Sequence, residues 1–116
     1  MPLSGQAVLL RIYTDEEALA GAQRLYTAVV RRARAAGLAG ATVLRGRVGF
    51  GESARVHAHE PFDLKVNLPM VIEIVDQEDA ARLFADSLAD LRHIGLVTIE
   101  KIEVLRYGSR HVAPHR

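Results

Sequence analysis

The run Arg45-Gly46-Arg47-Val48-Gly49-Phe50-Gly51 concentrates residues that suit anion chemistry. Glycines let a backbone turn tightly and bring its N–H groups near a ligand, and arginine offers paired donors that match phosphate oxygens. The residues alone leave two readings open, an anion cradle or a plain glycine-rich turn. A Walker motif is excluded because the Gly-Lys-Ser/Thr ending is missing. Further on, His57-Ala58-His59-Glu60 places two imidazoles on alternate residues, which point the same way in an extended segment and could take a transition metal. A third fixed ligand is missing, since His111 and His115 lie in the C-terminal tail. The other use of this stretch is phosphate or partner contact, with Arg45, Arg55 and His57 as donors.

Catalysis needs a nucleophile, a base and a group that orients the base. Ser53 near His57, with Glu52 and Glu60 scattered around it, does not make such a set, so no enzyme is expected. Glu78, Asp79, Asp86 and Asp90 read as the solvated face and first turn of a helix, and Arg31, Arg32 and Arg34 as the solvated face of another.

These residues sit in a chain of 116 residues, 49% hydrophobic and 25% charged, with 15 Lys plus Arg against 14 Asp plus Glu. That describes one globular domain over residues 1–116, with a core of 7–108, a long loop 48–67 and a disordered tail 109–116. A chain of this size buries roughly 65% of its unfolded surface, enough for a core without staples. The absence of cysteine removes thiol nucleophiles, disulfides and cysteine zinc sites together. A net charge of +1 argues against a nucleic-acid partner. No basic flank precedes a long apolar stretch at the N-terminus and no run approaches a membrane span, so a cytoplasmic location is expected.

Val8, Leu10 and Ile12 alternate with other largely apolar residues, predicting a first strand in the middle of a sheet. Thr14 followed by Glu17 matches a capping box ahead of a helix with Ala22, Leu25, Tyr26, Val29, Val30 and Ala33 on its inner face, ending at Gly37 or Gly40. Ala41-Thr42-Val43-Leu44 restarts strand character. Val48 to Asn67 has no sustained period and is punctuated by Gly49, Gly51, Ser53 and Pro61, so a long functional loop is expected. Pro69 to Asp76 reads as a third strand, with Met70, Ile72 and Ile74 on one face. Asp76 is the expected N-cap of a second helix whose stripe is Ala80, Leu83, Phe84, Ser87, Leu88 and Leu91, ending near His93 and Gly95. Leu96 to Arg106 is a fourth strand, with a parity change that predicts a bulge near Glu100 and Lys101.

The order β-α-β-β-α-β predicts an α+β, ferredoxin-like βαββαβ sandwich, a four-stranded antiparallel sheet with two helices on one face. The other sheet face carries Leu9, Tyr13, Val71 and Val75 alongside Arg11 and Glu73, which suits coverage by another subunit.

Gly37-Leu38-Ala39-Gly40-Ala41-Thr42-Val43-Leu44-Arg45-Gly46, Gly49-Phe50-Gly51, Leu68-Pro69-Met70-Val71-Ile72-Glu73-Ile74-Val75-Asp76 and Gly95-Leu96-Val97-Thr98 together resemble the small uncharacterised PII-like proteins of prokaryotes, relatives of the nitrogen-regulatory PII signalling proteins. The resemblance spans about residues 7 to 108. It implies a homotrimer whose sheets face inward and a regulatory site for an adenine nucleotide (AMP, ADP or ATP) between subunits, with no required cofactor. Carried over by position, it implies that Thr42 approaches the base, that Arg47, Gly49, Phe50 and Gly51 wrap the ligand, and that Gly95 and Arg106 close the cleft. Arg92-His93-Ile94-Gly95 replaces the glycine-rich turn and phosphate-binding lysine of the nitrogen-regulatory proteins, so a mono- or diphosphate fits better than a triphosphate with its metal. The loop 48–67 contains no tyrosine, so tyrosine modification there is excluded. The resemblance further implies a sensor that signals through this loop to a target protein, with a membrane transport protein as the analogous target. A metal-binding CutA-like trimer using His57 and His59 is the alternative expectation.

Overall fold

In the computed structural model, residues 3, 5–49, 57–58, 68–108 and 110–111 are described. Four long strands form one antiparallel sheet: β1 (Gln6–Asp15), β2 (Ala41–Arg45), β3 (Pro69–Asp76) and β4 (Leu96–Glu103), in the order β2-β3-β1-β4. Two helices, α1 (Leu25–Ala35) and α2 (Glu78–Asp86), pack against one face. This is the ferredoxin-like sandwich expected from the element order.

The alternation in β1 and β3 decides which face is which. Val8, Leu10, Ile12, Ile72 and Ile74 are buried against Leu25, Val29 and Ala33 of α1 and Ala81 and Phe84 of α2. Each fully buried aliphatic side chain contributes on the order of 1.5–3 kcal/mol, so this layer outweighs any local helix or strand preference. On the other face Leu9, Arg11, Tyr13, Val71, Glu73 and Val75 are only half-buried. Arg11 lies at its centre, its Nε donating to Glu73 at 3.0 Å and its guanidinium 3.5 Å from Glu100. The hydrogen bond to Glu73, aided by both carboxylates, holds the Arg11 pKa above its ordinary value.

α1 ends in a Schellman motif. Gly37 takes φ 76°, its N–H donates to Arg34, and the Leu38 N–H donates to Ala33, which satisfies carbonyls the helix leaves open.

Several sequence expectations are corrected. α1 starts at Leu25 rather than after Thr14, because Leu19–Ala20 and Gln23–Arg24 form a hairpin around Gly21 at φ 63°. Thr14 cannot cap it, since it is buried at the end of β1 and its hydroxyl donates to the His93 carbonyl at 2.7 Å. Gln77, not Asp76, is the N-cap position of α2. The buried Asp76 carboxylate instead accepts from the Gln77 and Ala39 N–H groups, each at 2.7 Å, and ties the α1–β2 turn to the start of α2. The inner face of α2 is set by Ala81, Phe84 and, just past its end, Leu88, which turns Leu83 outward to 73% exposure. α2 closes at Asp86, well before His93.

β4 runs against β1 without a bulge, from Gln6 opposite Glu103 to Tyr13 opposite Leu96, and stops at Glu103. The parity change arises because Ile102 belongs to the open face while Val97 and Ile99 belong to the helix face. Within the expected loop 48–67, Val48–Gly49 pairs with His57–Ala58. Within the expected tail, Arg110–His111 pairs back on Arg106–Tyr107 through a turn at Gly108.

Candidate functional site

The strand register places the expected site residues at two ends of the sheet. Arg45 lies opposite Met70, Tyr13 opposite both Val71 and Leu96, and Asp15 opposite Pro69, so Arg45, Gly46, Arg47 and Gly95 share the end where β1 finishes. Thr42 lies opposite Glu73, and Arg106 follows the far end of β4, where β1 begins.

At the first end the chain leaving β2 and the chain returning to β3 are drawn together. The Gly46 N–H donates to the Pro69 carbonyl at 2.7 Å, and the Glu16 N–H donates to the Leu68 carbonyl at 2.8 Å. A β-carbon at Gly46 would stand 2.6 Å from Pro69 Cγ, so glycine is required there by close approach. Arg45 forms an ion pair with Glu16, which places its guanidinium on the end of β1. Arg47 is exposed. The turn before β4 is pinned beside them, with Thr14 Oγ1 on the His93 carbonyl and the Gly95 N–H donating to Tyr13 at 2.9 Å. His93 has φ 70°, a left-handed conformation that few residues other than glycine adopt and that histidine tolerates better than most, here flanked by these two bonds.

At the second end a cleft of about 430 Å³ opens on the sheet face away from the helices. Thr42, Glu73, Val75, Ile102, Arg106 and Tyr107 line it. The Tyr107 hydroxyl donates to the Ala39 carbonyl at 2.5 Å, carrying the chain after β4 across to the turn before β2. Arg106 Nε donates to the Gly108 carbonyl at 2.8 Å, which uses one edge of the guanidinium to hold the terminal turn. The cleft therefore combines hydroxyls, one carboxylate, one guanidinium and an apolar floor, the mixture of apolar lining and a few polar groups usual for a small-molecule site. A second cleft of about 270 Å³, bounded by Gln6, Gln77, Glu78 and Lys101 among others, contains none of the expected site residues.

Thr42 and Arg106 are thus brought together, and Arg45, Arg47 and Gly95 form a separate group. Gly49 pairs with His57 in the short ribbon that leaves the first end. Phe50, Gly51, Arg55 and His59 lie outside the described residues. Among the described residues no group of three or more His, Cys, Asp or Glu side chains is arranged for a metal. No helix among them is long and apolar enough to cross a membrane. Sequence reasoning overlooked Tyr107 and Glu73 as cleft residues. The available signal for Tyr107 was its place directly after Arg106; for Glu73 it was the register that sets a carboxylate on the open face.

The ferredoxin-like sheet with both helices on one face defines the class of protein. The structure of CPII bound to ADP and bicarbonate, from Thiomonas intermedia K12, shares the fold with a TM-score of 0.61 and 20% identity, covering 87% of this chain and 90% of that chain. Sequence then narrows the class. The DUF190 family, described as "Uncharacterized ACR, COG1993", matches residues 7–104, and the chain belongs to it. A UPF0166 protein of Aquifex aeolicus (strain VF5) is 37% identical over 97 residues, covering 84% of this chain and 91% of that protein. Another, of Methanocaldococcus jannaschii, is 30% identical over 102 residues, covering 87% and 94%.

Proposed function

We propose that this protein is a non-catalytic, cytoplasmic PII-like sensor that binds an adenine nucleotide between subunits of a homotrimer and signals through the 48–67 loop to a target protein. The observation that carries the reading is the separation of the site residues. Thr42 and Arg106 occupy the cleft at one end of the sheet, whereas Arg47 and Gly95 stand at the other. A ligand that touches both groups needs two copies of the chain, one presenting each end. The half-apolar open face, with Leu9, Val71 and Val75 around the Arg11–Glu73 pair, is the surface such copies would cover. The CPII relative in fold was captured with ADP, which supports a nucleotide as the ligand class.

In this arrangement Thr42 and Glu73 face the nucleoside, Arg106 contacts phosphate with the guanidinium edge not held by Gly108, and Arg47, Gly49, Phe50 and Gly51 close from a neighbouring subunit. Binding would then fix the base of the loop at Gly46 and pass the ligand state to whatever the loop touches.

Mixing subunits tests the shared site. Arg47→Ala and Arg106→Ala should each weaken nucleotide binding by about 1.5–3 kcal/mol, the range for hydrogen bonds to charged groups. Co-refolding the two variants should restore wild-type affinity at about a quarter of the sites, because random assembly pairs two intact halves that often. No recovery on mixing would place the whole site within one subunit.

A further inference from the structure

The outer faces of the two helices carry opposite charge in matching positions. On α2, Asp79, Leu83 and Asp86 lie directly opposite the buried Ala81–Phe84 side, and all three are exposed, Leu83 by 73%. On α1, half-buried Thr27 and exposed Arg31 lie opposite buried Leu25 and Val29, and exposed Arg24 stands just before them at the extended N-cap. Among the described residues none of Arg24, Arg31, Asp79 and Asp86 forms an ion pair. Inside the molecule the same pairing chemistry joins α1 to the turn after α2, where Arg32 grips both oxygens of Asp90 at 2.8 Å.

The spacings agree as well as the signs. Asp79 and Asp86 are seven residues apart within α2, about 10.5 Å along its axis, and Arg24, the extended N-cap of α1, stands seven residues before Arg31. Thr27 is three residues after Arg24 and four before Arg31; Leu83 is four after Asp79 and three before Asp86. Laid antiparallel, α2 of one copy sets Asp86 against Arg24, Leu83 over Thr27 and Asp79 against Arg31 of another copy, with the helix dipoles opposed.

We propose that the helical layer is a self-association surface, on which the Asp79–Leu83–Asp86 face of α2 docks antiparallel on the Arg24–Thr27–Arg31 face of α1 of a second copy of this chain. Each copy carries both faces on the same helical layer, so a copy that lends α2 to a second copy also offers its own α1 for docking. One helix on one helix covers less than the ~1,200 Å² of a stable interface, so the contact forms at low salt and high protein concentration. It lies on the side opposite the open sheet face and does not depend on nucleotide binding.

Sedimentation velocity over a protein concentration series tests it, at about 20 mM and about 500 mM NaCl, where screening shortens the reach of exposed charges severalfold. The wild type should grow in average mass with concentration at low salt and return to a constant mass at high salt. The double variant Asp79→Lys/Asp86→Lys should not grow, nor should Arg24→Glu/Arg31→Glu, while an equimolar mixture of the two should regain growth because the reversed charges complement. Leu83→Ala should weaken association about tenfold, the scale of one buried apolar anchor. A constant wild-type mass at low salt, or growth that survives both double variants, would overturn the proposal. Unchanged circular dichroism in each variant ensures that a loss of association is read from folded protein.

Discussion

Single residues here act mainly through what lies within a few ångströms of them. Gly46 is the sharpest case, because the ring of Pro69 occupies the space of a side chain. Gly46→Ala should cost about 1–3 kcal/mol in urea unfolding, the usual penalty for forcing a methyl group against packed atoms. Gly40, with nothing within 4 Å of an added β-carbon, is the control, and Gly40→Ala should be neutral or stabilising by up to about 1 kcal/mol. Equal losses in the two variants would mean that the approach of Pro69 is not what demands glycine at 46. The requirement for glycine was legible only as a Gly-rich run, since the obstructing residue arrives from beyond the loop. Likewise Thr14 looked like a helix cap because Glu17 follows it, yet its hydroxyl is committed to His93, on a segment far along the chain.

At the scale of elements, hydrophobic period carried most of the information. Pro69–Asp76 alternates so regularly that its limits and its faces could be read directly, and β1 showed its central place by being apolar on both sides. α2 was less legible, because Leu83 and Phe84 are both large and apolar and only packing decides which points inward. Phe84→Ala should therefore cost about 3–5 kcal/mol by thermal or urea melts. Leu83→Ala should change stability by no more than about 0.5 kcal/mol. Reversal of these two magnitudes would mean that the helix is rotated.

The clasp between α1 and the turn after α2 has a pH signature. The hydrogen bond from Arg32, with its positive charge, holds the Asp90 pKa below the ordinary 3.8. A depressed folded-state pKa adds stability that is fully present above the unfolded value and is lost as pH falls through the folded one. Wild type should thus lose more stability than Asp90→Asn on acidification from pH 5 to below about 3.8. Parallel acid titrations of the two proteins would show that Arg32 does not engage this carboxylate.

For the whole molecule, the element order was enough to reach the ferredoxin-like sandwich and its uncovered sheet face. The hairpin Leu19–Arg24 and the passage of Tyr107 to Ala39 were not legible, because both rest on contacts without a local pattern. The same holds for the site. Its arginines were visible as residue types, but their division between two ends of the sheet follows from register, and that division is what makes a shared site between copies the natural reading. Isothermal titration of the purified protein with AMP, ADP and ATP, with and without magnesium, tests the central claim most directly. Saturable binding of an adenine nucleotide near one ligand per subunit, lost together with subunit association, is the predicted result; no heat of binding with any of the three would contradict the nucleotide sensor and leave the PII-like fold as architecture alone.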